Sequence, residues 1–468
     1  MAFNRSPYPA RKLLSPVRAF GIGALLLTLP VFGGAGFCQS AAVTSPLASD
    51  SLPIAQTTAN DSPKESASVP AKTARAREKK AKTKAIRKVQ EKVQEVPVLP
   101  AGEIPTDLVP SQHFLGKPEV VAVFNDAMPT GVAVSFSGRR FVNFPRWEDN
   151  VTYTVGELSH GKVQPYPDAA FNKLDLKDPE NHLISVQSVV VDAHDRLWLL
   201  DTGSVKFGTV IPGGAKLVCV DLSTNQVVKT IRFPSDVALP TSYLNDVRFD
   251  LRRGKAGMAF ITDSSSSGHN ALVVVDLASG ESFRRLVGHA STRAVPGFLP
   301  IVEGAPLMFV HEDGERTSMK VGADGIAVGA DGKHLFYCPL SSRKLYSVNL
   351  DALADRKVSD EDVAKTVCEV TEKGASDGLE MDSAGRIYAT DYEHNAVHRI
   401  SLEGKHETLV CDPRVLWPDT LCLAQDGYLY FTANQLHRQP LFHGGRDLRE
   451  KPYVLFRVKV DAEPVLLR

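Results

Sequence analysis

The amino-acid sequence predicts an all-β fold, a six-bladed β-propeller of four-stranded antiparallel blades, preceded by a signal peptide and a disordered basic linker. An internal repeat is the first ground. Asp324-Gly325-Ile326-Ala327-Val328 runs through Ala330-Asp331-Gly332 into Leu335-Phe336-Tyr337, and Asp377-Gly378-Leu379-Glu380-Met381 runs through Ala384-Gly385 into Ile387-Tyr388-Ala389. Each copy reads as an apolar-alternating strand, a glycine turn and a second strand rich in aromatic and β-branched residues: the inner hairpin of one blade. Looser copies begin at Gly131, Gln187, Asn245 and Asp419, which brings the count to six.

The outer strands are legible as well. Lys216 to Asp221, Ala271 to Asp276 and Lys344 to Asn349 each follow an inner hairpin and end on an acid or amide that enters a turn, as third strands would. Val227 to Phe233 and His406 to Val410 read as exposed fourth strands. The alternation from Tyr453 to Val460 predicts a terminal strand that closes the ring with Val120 to Phe124 and hides sheet edges. Repeat lengths wander beyond the roughly 40 to 50 residues of tight propeller units. Some blades therefore carry excursions, which are expected to build one face of the disc, where binding usually lies.

Residues 1–100 stand apart from the ring. Arg11, Lys12 and Arg18 precede an apolar run from Phe20 to Phe32, and Ser40, Ala41 and Ala42 supply small residues for cleavage, so 1–42 reads as a secretory signal peptide, with an uncleaved anchor as the competing reading. Residues 43–100 are rich in Ala, Ser, Pro and Lys with almost no aromatics, and cannot bury enough apolar surface to offset chain entropy. Their basic run, Lys72 to Lys92, could touch an anionic envelope surface or be a solvated tether. The propeller is assigned to 101–468. These features imply a secreted or periplasmic protein with no transmembrane domain after cleavage.

Zero net charge conceals an asymmetry. Of the 54 basic and 54 acidic residues, the first hundred positions hold 15 and 6, leaving 39 against 48 for the rest. An acidic body excludes nucleic acid as a partner, since phosphate binding needs a concentrated basic face. Beyond Cys38 five cysteines remain, without a Cys-x-x-Cys pair, and read as buried thiols. Ser264 to Ser267 with His269 lack a nucleophile elbow, and Pro212-Gly213-Gly214 and His443-Gly444-Gly445 lack a strand-to-helix setting. His437, Arg438 and His443 cluster near Gln435, as rim or solvated loop residues.

Inner strands of a propeller line its channel, and the residues at their starts ring the mouth. Here these are Gln187, Asn245, Asp246, Asp324, Asp377 and Asp419, with Trp147 as an aromatic contact or an inter-blade packing residue. Converging carboxylates and amides could hold Ca²⁺ or another divalent cation, or a hydroxyl-rich or cationic small molecule. Alternatively, each acid simply caps a turn.

With Phe141-Val142-Asn143-Phe144-Pro145-Arg146-Trp147, Tyr243 to Asp250, Phe260 to Ser264, Leu335 to Leu340 and Phe431 to His437 read in order, the chain resembles the major royal jelly protein and Yellow family over roughly 118–460, in a form that looks bacterial rather than animal. The resemblance implies a secreted six-bladed propeller and a spread of roles: conversion of pigment intermediates, binding of biogenic amines in the central cavity, or nutrient storage. The gluconolactonase and senescence-marker propellers are more distantly similar, which implies metal ligation at Asn245, Asp324 and Asp377. The departure lies before Val132, where Pro129-Thr130-Gly131 replaces a ligating Glu. A channel that binds a small polar or aromatic ligand is the primary expectation. A metal-dependent lactonase-like hydrolase and a protein-interaction platform of the cell envelope are the alternatives.

Overall fold

The computed structural model describes residues 114–468 apart from Glu148 and Glu312; the signal-peptide and linker assignments lie outside the described residues. Six four-stranded antiparallel sheets form a propeller. The first blade comprises Gly131–Val134, Arg140–Asn143, Val155–Ser159 and Lys162–Pro165. The second, third, fourth and fifth begin with the inner strands Val186–Val191, Leu244–Asp250, Ala323–Val328 and Leu379–Met381, each followed in order by three more.

The sixth blade closes the ring. Pro418–Leu423, Tyr428–Ala433 and Tyr453–Lys459 are followed outward by Glu119–Phe124 from the other end of the domain. Val123 pairs with Val454 and Phe124 with Tyr453, while Leu115 bridges to Cys411 on the outer edge of the fifth blade. Leu455 and Phe456 are buried because this strand is sandwiched between two others and packs on both faces. Between blades, β-branched and aromatic side chains interleave in separate clusters, such as Trp198, Leu217, Val247, Ile261 and Val273 between the second and third.

The inner-hairpin turns show why acids recur in the repeat. Asp192 accepts the backbone N–H of His194 and Arg196, the Arg196 guanidinium and the Trp198 indole. Asp382 does the same for Ala384, Arg386 and the Tyr388 hydroxyl. One side chain thereby satisfies the turn and ties it to the second strand.

The excursions do not all lie on one side. Residues 203–214, 286–322 and 434–452 rise over one mouth of the channel, the upper mouth. The short helices Leu350–Ala354 and Asp360–Lys365 leave the fourth blade at its other end, where Leu350, Leu353 and Val363 extend the core. The chain terminus runs across the lower mouth: Ser383 N–H donates to Glu463 O at 2.8 Å and Leu251 N–H to Leu467 O at 2.9 Å. Cys219 and Cys338 are buried, as expected of all five thiols, but Cys368, Cys411 and Cys422 are only half-buried. Burial pushes the Cys219 and Cys422 thiols up to about 12, so neither is a nucleophile at neutral pH.

Phe456→Ala, which empties a site in the closing strand, is expected to cost about 3 to 5 kcal/mol, read as a lowered midpoint in urea denaturation.

Candidate functional site in the upper channel

The polar ring is built by a repeated backbone irregularity. Pairing between the first two strands shifts register between Val186 and Ser188, Leu244 and Val247, Ala323 and Ile326, and Pro418 and Leu421. Gln187, Asn245, Asp324 and Asp419 sit in these bulges, which turn a strand residue toward the axis. Gly325 and Gly378 are not turn glycines. A Cβ at Gly325 would lie 2.3 Å from Asp377 O, and one at Gly378 2.3 Å from Asp419 O, so the glycines let neighbouring inner strands meet backbone to backbone.

A threonine near the end of the second strand braces each junction. Thr390 Oγ1 accepts the N–H groups of Asp377 and Gly378 at 3.0 and 3.1 Å. Thr262 Oγ1 accepts from Asp246 N and donates to Asp324 O at 2.6 Å, and Thr432 Oγ1 donates to Thr130 O at 2.7 Å. These threonines were overlooked in the sequence, although Ile261-Thr262-Asp263, Ala389-Thr390-Asp391 and Phe431-Thr432-Ala433 repeat the signal.

Three buried carboxylates, Asp324, Asp377 and Asp419, converge as the floor of the upper mouth. All three are held by neutral side-chain donors: Asp324 by Asn245 Nδ2, Asp377 by the Trp417 indole N–H at 2.8 Å, and Asp419 by Asn434 Nδ2 at 2.7 Å and the Thr420 hydroxyl at 3.3 Å. Asp324 and Asp377 are also within hydrogen-bond reach of each other. No lysine, arginine or histidine among the described residues forms an ion pair with any of the three. Burial, followed by the neighbouring Asp377 carboxylate, holds Asp324 and Asp419 well above the usual carboxylate range. Burial lifts Asp377 to about 6, moderated by the Trp417 and Asp324 hydrogen bonds.

Above the floor lies a cavity of about 580 Å³ with three kinds of wall. Trp147, Phe207 and Tyr243 form one: Trp147 stacks on Phe207 at 4.8 Å, and Phe207 lies 5.5 Å from Tyr243. The Trp147 indole donates to the Tyr243 hydroxyl, which donates to Gln187 Oε1 at 2.9 Å. Opposed in chemistry is an apolar wall of Phe309, Met319, Leu340, Leu441 and Phe442, in which Phe309 stacks on Phe442 at 5.3 Å. Thr209, Thr241 and Ser264 to Ser267 supply hydroxyls. The serine run is thus a loop, as its sequence indicates, but one that lines the cavity.

Asp246 does not join this ring. Although adjacent to Asn245, it accepts both Arg248 Nη1 contacts at 2.9 Å and the Ser188 hydroxyl at 2.7 Å. Arg248 also donates to Leu379 O and lies 3.8 Å from Glu380, forming a buried plug on the axis. Beyond the plug is a lower cavity of about 90 Å³, bordered by Arg248, Glu380 and the terminal Pro464 to Leu467. Trp147 packs between blades, as the inter-blade reading has it, and also borders the cavity. Arg146 is structural, donating to the carbonyls of Leu183, Ile184 and Asn172. His437 and Arg438 pair with Glu303 and do not line the cavity.

A divalent ion fits this donor set poorly. No group of three or more His, Cys, Asp and Glu side chains among the described residues could hold one. In the first blade the Thr130 hydroxyl is taken up by Asn143 Nδ2 at 2.8 Å, and a Cβ at Gly131 would strike Asn143 Oδ1, so this quarter of the ring offers no anionic ligand.

Fold and site together define a six-bladed propeller whose central channel is plugged midway and floored, on one side, by unpaired acids. The family model for major royal jelly protein matches residues 184–462, more than half the chain, and the chain belongs to that family. Major royal jelly protein 1 of Apis mellifera is 30% identical over 196 residues, 40% of this chain and 41% of its own length. Protein yellow of Drosophila guanche is 31% identical over 135 residues, 27% of this chain and 23% of its own. The chain thus spans about two fifths of the royal jelly relatives it matches. Solved structures align more loosely: a luciferin-regenerating enzyme at 12% identity and TM-score 0.47, covering 75% of this chain and 99% of that one, and a regucalcin from Agrobacterium tumefaciens at 13% and 0.45, covering 75% and 98%. At that distance they say nothing about chemistry.

Thr390→Val keeps shape but leaves two buried N–H groups without an acceptor. It is expected to destabilise the domain by about 2 kcal/mol, measured by urea denaturation.

Proposed function

We propose that the protein binds a small organic cation bearing an aromatic ring in the upper channel, as a binding protein for arylalkylamine-like molecules. The observation that carries this is the floor of three buried carboxylates, none in an ion pair and only Asp377 within the influence of a buried cation, Lys373, opening on a cavity walled by aromatic rings. Buried charge is costly unless paired. An ammonium group placed among Asp324, Asp377 and Asp419 would supply the missing charge, with charge-assisted hydrogen bonds worth roughly 1.5 to 3 kcal/mol each. The ring would pack against Trp147 and Phe207 on one side or Phe309 and Phe442 on the other, and ring hydroxyls would find the serine wall. The volume suits a ligand of one or two rings.

The lactonase-like alternative requires a metal to polarise a carbonyl, and the first blade lacks the ligand it needs. Export to the periplasm or beyond rests on the leader in 1–42, and the acidic body supports a small-molecule partner over nucleic acid. No helix among the described residues is long and apolar enough to cross a membrane.

The sign of the pH dependence follows from the carboxylates. An arylalkylamine remains cationic throughout the range of interest, whereas Asp377 ionises near 6. Affinity for 2-phenylethylamine is expected to rise by up to about tenfold per pH unit between pH 5 and 6, while the neutral 2-phenylethanol binds weakly at every pH. Calorimetric titration checks this; equal, pH-independent binding of the two would sink the reading.

The same groups set stability. A folded-state pKa raised above the unfolded value favours the fold below about pH 4, and that stability is lost as pH rises through about 6. Asp324→Asn removes part of the repulsion. It should raise the melting temperature of the ligand-free protein at pH 8 relative to the wild type, while abolishing amine binding.

A further inference from the structure

Trp417 is fully buried, yet its backbone lies in the left-handed region at φ 55°. That conformation is rare for a bulky side chain. It is disfavoured again because Pro418 follows, which steers the preceding residue toward extended backbone. Across the same blade end Gln435 is also left-handed, at φ 60°. The two strained residues are cross-linked: Gln435 N–H donates to Leu416 O at 3.0 Å and Asn434 N–H to Trp417 O at 3.3 Å. Gln435 is fixed further by its side-chain amide, which both donates to Glu450 O and accepts Glu450 N–H.

This crossing delivers two donors to the floor. The Trp417 indole reaches Asp377 Oδ2 and the Asn434 amide reaches Asp419 Oδ2. The indole ring is gripped between Tyr392, 4.1 Å away and inclined by 11°, and His437, 5.9 Å away and inclined by 18°. Tyr392 is itself held by a hydrogen bond to Leu340 O at 2.7 Å, and His437 by Glu303. Strain of this kind persists where the surroundings over-determine it, and it collects at functional sites.

We propose that Trp417 is a positioning residue. Its N–H occupies Asp377 Oδ2 and fixes that carboxylate beside Asp324 at the cavity floor, and the strained Trp417/Gln435 crossing holds this donor in register with the Asn434 donor to Asp419. The inference rests on the reading of the floor as an ammonium site, and it assigns to Trp417 selectivity for a cation over an isosteric neutral ligand. Trp147, by contrast, contributes ring contact that both ligands share.

The test uses the whole protein labelled with ¹⁵N at tryptophan, the variants Trp417→Phe and Asp377→Asn, and 2-phenylethylamine and 2-phenylethanol as probes. Trp417→Phe keeps an aromatic ring between Tyr392 and His437 but deletes the N–H together with part of the bicycle, so the alcohol probe and the melting temperature control for the lost volume. The indole resonance missing from that variant identifies Trp417. In ligand-free protein, Asp377→Asn is expected to move this resonance, and adding the amine to wild type should move it again. Trp417→Phe should weaken the amine roughly tenfold or more and leave the affinity for the alcohol unchanged. Equal loss for both probes, or no loss for the amine, would overturn the proposal as a merely structural or idle contact. An unmoved indole resonance in Asp377→Asn would overturn it regardless of ligand. Should wild type bind no amine, the ammonium reading fails, and with it the assigned selectivity; the Asp377→Asn shift would still decide whether the indole holds that carboxylate. If Trp417→Phe does not fold, the Trp417 resonance is assigned by elimination with Trp147→Phe and Trp198→Phe, and the Asp377→Asn arm with wild type and the amine carries the decision.

Discussion

The close approach of neighbouring inner strands around one axis is the constraint on which the site depends. At Gly325 and Gly378 the absence of a Cβ lets the carbonyls of Asp377 and Asp419 come into contact distance. The bulge beside Gly325 swings Asp324 toward the axis, and Thr262, Thr390 and Thr432 accept or donate backbone hydrogen bonds where the inner strands meet. Closure of the ring by Glu119–Phe124 beside Tyr453–Lys459 keeps these strands at that spacing. A Cβ at either glycine pushes the blades apart and moves two carboxylates at once.

The channel then divides by charge. Below, Asp246 and Glu380 share Arg248. Above, Asp324, Asp377 and Asp419 accept from neutral N–H and O–H donors and form no ion pair, so the donors orient the carboxylates without cancelling their charge. Such a floor costs the folded state when ionised. Keeping it is intelligible for a protein whose partner brings the cation, because the uncompensated charge that weakens the empty fold is available for binding.

Much of the propeller was legible because blade repetition is a strand-period signal: the inner hairpins at Asp324 and Asp377, the third strands and the closing strand Tyr453–Lys459 fall where alternation and turn residues place them. The site was legible in part. Gln187, Asn245, Asp324, Asp377 and Asp419 reach one cavity, as their place at strand starts suggests. Asp246 does not, because a bulge breaks the two-residue parity that decides which side chain faces up, and sequence does not display the bulge. The Asp-Gly pairs look like turns but lie in an inner strand (Asp324-Gly325) or directly before one (Asp377-Gly378), where glycine permits close approach. Trp417 and Asn434 gave no periodic signal, since their reach depends on left-handed backbone at Trp417 and Gln435. The aromatic wall was half visible: Trp147 stood out, whereas Phe207 and Phe309 come from excursions whose paths no repeat specifies.

The most direct measurement is a crystal structure of the protein with 4-bromophenethylamine at pH 7.5, using the bromine anomalous signal to locate the ring. The expected result is a single bromine peak inside the upper cavity against Trp147 and Phe207 or Phe309 and Phe442, with the ammonium nitrogen within hydrogen-bond distance of at least two of Asp324, Asp377 and Asp419. A metal ion occupying that floor in place of the amine, or a bromine peak only at the lower mouth or on the outer faces of the blades, would contradict a cation-binding upper channel.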